Sequence, residues 1–134
     1  MVVTAWFEPG QAEPLVLAEQ ADVDALLDTM IREASGQDIP VIAEINRQDA
    51  DGWAVLHVGV RPAGGGFISH VSPAGSVIST SGSTSPELVS YDYMNNEREI
   101  PRHAEVPLEI VRQAARDFVR SNGDRPAGVT WADA

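Results

Sequence analysis

Residues 53–60 read WAVLHVGV. Ala54, Leu56, Val58 and Val60 alternate with Val55, His57 and Gly59. In an extended chain successive side chains point to opposite faces. The first set therefore makes one continuously apolar face that must be covered, and the second a mixed face. This predicts a half-buried strand in a sheet with helices on one side. The neighbouring stretches IPVIAEINR (39–47), GGFISHVSP (65–73) and GSVISTS (75–81) are short, rich in Val and Ile, and bounded by turn residues, so each reads as a strand. The intervening QDADG and AGGG are hairpin-sized, which predicts an antiparallel meander.

Further out, VVTAWF (2–7) reads as a strand, ended by the breaker EPGQAEP. LVSYDYM (88–94) reads as another, with Val89, Tyr91 and Tyr93 on one face, and the fully polar NNERE after it reads as an outward turn. Two stretches carry helical periodicity. In ADVDALLDTMIREASG (21–36), Val23, Leu26, Leu27, Met30, Ile31 and Ala34 form one stripe, with Asp22 as N-cap and Gly36 as the stop. In EIPRHAEVPLEIVRQAARDFVRSNG (99–123), Pro107 suits the first helical position, and Leu108, Val111, Ala115, Phe118 and Val119 form the stripe. Asn122 and Gly123 end that helix, and RPAGVTW (125–131) reads as a short strand whose Val129 and Trp131 are pinned to the sheet or the helix. The expected fold is α+β, one domain over residues 1–134. Its sheet is mostly antiparallel and twisted, of about five to seven strands, packed by two main helices.

The 134 residues suffice to bury roughly two thirds of the unfolded surface. No apolar run approaches a membrane span and no signal peptide is visible, so the expectation is a cytoplasmic protein. With no cysteine, disulfides and thiolate metal sites are excluded. Twenty acids face nine arginines and no lysine, a net charge of −11. Residues 1–66 hold eleven of the acids and only three of the arginines. Such a field repels nucleic acid and attracts a basic partner.

Chemical motifs are sparse. The AGGG glycines precede a strand and not a helix, so they lack the amides of a phosphate cradle. His57, His70 and His103 are dispersed, with no close ligand pair for a metal. His57 and His70 could meet as a polar pair across neighbouring strands on the outer face. The serine-rich GSVISTSGSTS has no nucleophile elbow and reads as a solvated loop, although a triad assembled in space stays open. Arg112, Arg116 and Arg120 form a row on the second helix, expected to answer carboxylates on the sheet or solvent. Acids gather at Asp22, Asp24 and Asp28, at Asp49 and Asp51, and at Glu97 and Glu99. Beside Trp53, Tyr91 and Tyr93 the last two groups suggest an interaction surface. No catalytic residue, cofactor or metal ligand is assigned. An alternative is a small-molecule-binding or regulatory domain with His57, His70 and Tyr91 lining a pocket.

The stretch from Tyr91 to Trp131 resembles the C-terminal signature of a bacterial immunity-protein family from polymorphic toxin systems. The resemblance rests on YDYMNNEREIP, EVPLEIVRQAARDF and SNGDRPAGVTW, with Pro107, Pro126 and Trp131 as landmarks. Ser121 and an inserted Asn122 depart from the family's usual Thr-Gly pair. The resemblance implies a non-catalytic protein that neutralises a cognate toxin domain, commonly a nuclease or nucleic-acid deaminase. Joined to the charge, it points to an acidic surface that occludes a basic active site. Asp49, Asp51, Trp53, Asp92, Glu97 and Glu99 are the expected partner-binding residues.

Overall fold

The register of the central strands follows from the first hairpin turn. Asp49 pairs with Gly52, and counting back along both arms places every even residue of β4 (Gly52–Val60) beside an odd residue of β3 (Val41–Asp49). The computed structural model describes residues 2–50, 52–62 and 64–134. Among these, β1 (Val2–Trp6), β2 (Leu15–Val16), β3, β4, β5 (Gly66–Ser72), β6 (Gly75–Ser79) and β9 (Trp131–Asp133) form a sheet in the order β2-β1-β3-β4-β5-β6-β9. A hairpin of β7 (Leu88–Tyr93) and β8 (Asn96–Pro101) leaves that path and joins β3 at one parallel position, Val41 beside Asp92. The fold is α+β, as expected.

The nine strands exceed the expected five to seven. The polar stretch after Tyr93, expected to turn outward, is instead β8. Met94 and Asn95 both take positive φ (49° and 69°), the two-residue geometry that folds the chain back on β7. Charged side chains suit β8 because it is an edge, where they discourage further pairing. β2 is a two-residue strand just after the expected breaker, in a stretch given no element from the sequence, pairing Leu15 with Ala5 and Val16 with Thr4.

Helices α1 (Gln20–Gln37) and α2 (Leu108–Arg120) cover one face of the sheet. Beneath them lie Val3, Ala5, Ala43, Ile45, Ala54, Leu56, Val58, Val60 and Ile68, all buried. The face of 53–60 expected to meet the helices is the one that does. Asp22 is the third residue of α1 and not its cap. Its carboxylate accepts the amides of Ala18 (2.8 Å) and Glu19 (3.0 Å), and Glu19 is the N-cap of a capping box. Gly36 does not stop α1 either. Asp38 ends it in the left-handed region (φ 54°), its amide bonded to Ala34 O.

The arginine row of α2 answers a helix, not the sheet. Arg112 bridges Asp24 (3.1 Å) and Asp28 (2.9 Å), Arg116 grips both oxygens of Asp24 (3.0 Å each), and Arg120 pairs with Asp117. Desolvation pushes the Asp24 carboxyl up, but the hydrogen bonds and charges of the two arginines outweigh it and hold it below the ordinary aspartate value. After α2 the chain turns at Asn122 and Gly123, both with positive φ, and runs into β9. β9 closes the β6 edge through Val77–Asp133, Ile78–Ala132 and Ser79–Trp131. Trp131 packs against the helix-side core and donates its indole N–H to Pro126 O (3.0 Å). The strand expected over 125–131 forms instead at Trp131–Asp133, but Val129 and Trp131 both pack against the core, so the tail is tied down as expected.

Candidate functional site

The other face of the sheet is covered by neither α1 nor α2. At the Val41 end it is roofed by the β7–β8 hairpin, where Val89 and Tyr91 close on Ile42 and Phe67. Tyr91 meets the Phe67 ring edge-on (5.0 Å between centroids), and its hydroxyl donates to Glu105 (2.9 Å), itself paired with Arg61 (2.9 Å). Burial, then the Glu105 charge, push the Tyr91 phenol far above its ordinary range. This tyrosine is structural.

Beyond the roof, three rows of side chains line up across the strands. Trp6, Glu44, His57 and Ser69 are successive cross-strand neighbours, as are Thr4, Asn46, Val55 and Val71, then Gln48 and Trp53. Trp6 and Trp53 thus stand at opposite corners of a shallow hollow of about 420 Å³ whose floor includes Glu44, Asn46 and Val55. Trp53 is 41% exposed, an unusual placement for so large an apolar ring. Glu44 is the polar hub. It accepts from Asn46 Nδ2 (3.1 Å) and the Tyr93 hydroxyl (3.4 Å), and His57 Nε2 lies 3.4 Å away. The other ring nitrogen of His57 meets Ser69 Oγ (3.1 Å). Burial lowers the His57 pKa, Glu44 pulls it back up, and Arg98 lowers it again; the net shift is downward. Burial raises the Tyr93 phenol, with Glu44 adding to the effect, and Arg98 stacks over its ring at 5.5 Å.

Serine, histidine and glutamate in a row invite a catalytic reading, which the surroundings do not support. Both sides of β5 are occupied by strand partners, so the amides near Ser69 are committed to the sheet and offer no oxyanion hole. The serine-rich loop gives no nucleophile either. Its hydroxyls close short turns at Gly82, Ser83, Ser85 and Glu87, and the buried Ser79 is fully used between Ile68 N and Ala104 O. Among the described residues no three His, Asp or Glu side chains gather to hold a metal ion.

Two sequence expectations fail here. His57 and His70 do not pair, because the β4–β5 register sets His57 beside Ser69 and His70 beside Leu56. His70 therefore points to the helix side, buried against Phe118, and meets Gly123 O (2.9 Å). Tyr91 is sealed under the roof, so His57, His70 and Tyr91 share no pocket, and the small-molecule alternative loses its site.

The expected partner-binding residues divide into two groups. Asp49 ends β3, paired with Arg47 (3.1 Å) and accepting Gly52 N (3.1 Å), with Trp53 next along β4. Asp51 lies outside the described residues. Asp92, Glu97 and Glu99 come together on the outer face of the β7–β8 hairpin, where Asp92 sits directly opposite Glu97, and Ser90 opposite Glu99. The groups lie at opposite ends of β3, about 26 Å apart along the strand at eight residue steps. Trp6 and Glu44 were missed. Each sits in a strand that reads as core, and only the hairpin register, five residues back from the turn on both arms, reveals that Glu44, His57 and Trp6 share a face.

Among known families, the model described as immunity protein Imm1 matches residues 11–133, nearly the whole chain. No curated protein matches it.

Proposed function

We propose that this chain, which belongs to the Imm1 immunity-protein family, binds a cognate toxin domain and occludes its active site with an acidic surface. The observation that carries the acidic mechanism is the β7–β8 hairpin. Asp92, Glu97 and Glu99 share one face, and among the described residues none of the three is in an ion pair. Like charges directly opposite each other weaken a hairpin. A basic partner relieves that repulsion, so the arrangement costs the free protein stability that the complex regains. Asp24 and Asp28 on α1, by contrast, are answered within the fold by Arg112 and Arg116.

A toxin that acts on nucleic acid, a nuclease or a deaminase, needs a cationic groove for phosphates, and an acidic protrusion fits such a groove. Asp49, Asp51 and Trp53 would extend the contact at the far end of β3, with Trp53 as the buried anchor. The chain needs no chemistry of its own for this role and acts as a non-catalytic blocker in the cytoplasm of the producing cell. Co-expression with the toxin encoded beside it tests the reading. Growth is expected only when this chain is present, and purified toxin is expected to form a complex whose affinity falls with salt. Failure of any neighbouring toxin to form that complex defeats the proposal.

A further inference from the structure

We propose that the hollow between Trp6 and Trp53 receives an arginine or lysine side chain of the protein partner, with Glu44 as its counter-charge. This rests on the reading of the chain as a toxin-binding protein and adds a second docking point on the face opposite α1 and α2. The hollow combines a fixed carboxylate with exposed aromatic surface, the two features that recognise a guanidinium or ammonium group together.

Three observations support it. The partners of Glu44 within the fold are uncharged donors: the Asn46 amide, the Tyr93 hydroxyl and, at neutral pH, the His57 ring. They hold the carboxylate in position without cancelling its charge. The arginines nearby are directed elsewhere, Arg98 over the Tyr93 ring and Arg47, which borders the hollow, toward Asp49. The walls are also suitable. Trp6 stands beside Glu44 on β1 and Trp53 lies two rows away on β4, with only Thr4, Asn46 and Val55 between them. The occupant follows from charge. A chain of net −11 attracts a cationic surface, and a toxin that grips phosphates displays arginine and lysine around its cleft.

The test uses N-acetyl-arginine amide as a probe, with N-acetyl-citrulline amide as its uncharged isostere. Indole N–H resonances are followed by NMR on the intact protein at constant ionic strength. The three tryptophans give three reporters, and Trp131, on the helix side, is the internal control. The expected result is a saturable shift at Trp6 and Trp53 with the arginine probe, none at Trp131, and none with citrulline. Glu44→Gln, which keeps the side-chain shape, is expected to weaken the arginine response roughly 2- to 10-fold. Equal responses to both probes, no response at Trp6 and Trp53, or an unchanged response in E44Q overturns the inference. A neighbouring toxin that binds E44Q as tightly as the native chain also overturns it, and leaves the immunity reading standing. A positive probe titration with no toxin complex does the reverse: the hollow stands as a cation site and the immunity reading falls.

Discussion

His57 shows how one side chain's setting sets its charge. Burial outweighs the attraction of Glu44, and Arg98 adds to it, so the folded ring releases its proton below the ordinary value of 6.5. The unfolded chain then binds the proton more readily, so this ring's stabilising effect is fully present above about pH 6.5 and declines as pH falls toward the depressed value. His57→Gln is expected to flatten that part of the pH–stability curve, measured by urea unfolding at several values between about pH 8 and about pH 5. An unaltered slope refutes the assignment. Gly66 makes a second residue-scale prediction. A Cβ there would lie 1.8 Å from Gly59 O, a clash with backbone that no rotamer relieves. Gly66→Ala is expected to cost about 3 kcal/mol or more in unfolding free energy, and less than about 1 kcal/mol would contradict the close strand contact. At this scale the sequence revealed which face of 53–60 is buried, because alternation is a local property. It concealed the partners of His57 and His70, because those depend on a register set at turns several residues away.

At the scale of elements, the α1–α2 contact joins two amphipathic stripes and rims them with ion pairs. Desolvation raises the Asp24 carboxyl, and Arg112 and Arg116 lower it further than that, so the net folded value lies below 3.8. A depressed carboxylate stabilises the fold above its unfolded pKa, and that contribution is lost as pH falls through the folded one. Asp24→Asn is expected to lower the melting temperature at neutral pH, with the gap to the native chain closing in acid. A gap that stays constant down to about pH 2 shows that the two arginines do not act through the Asp24 charge. The arginine row was visible as an i, i+4, i+8 pattern, but its partners on α1 were not, since 84 to 92 residues separate them. Both helices and the central meander were legible from periodicity and turn residues. β8 was not, because NEREIP has none of the alternation that marks a half-buried strand. Its conformation is imposed by the turn at Met94–Asn95 and by pairing to β7.

For the molecule as a whole, charge and stability are set against each other. The combined substitution Asp92→Lys, Glu97→Lys and Glu99→Lys is expected to leave the fold intact while weakening toxin capture by roughly 10-fold or more, chiefly through slower association. Stopped-flow association at low and high salt, beside thermal melting, separates the two effects. Unchanged association would remove the hairpin from the interface, and a collapsed fold would make those carboxylates structural. The acidity that suggested a partner was legible in composition alone. The shape that presents it was not, because the hairpin, the open face and the two tryptophans come together only when the sheet forms. The hairpin's attachment also sets a kinetic hierarchy. It joins the sheet at the single strand pair Val41–Asp92 and is otherwise held by the small cluster around Tyr91 and the Tyr91 and Tyr93 hydroxyl bonds, whereas β4 is paired along its whole length on one side and most of the other. In deuterium oxide the β7–β8 amides are expected to exchange through a local opening, well before those of β4 and at a rate insensitive to global unfolding. Capture of a partner on that flap would slow its exchange most, giving a label-free footprint of the bound surface.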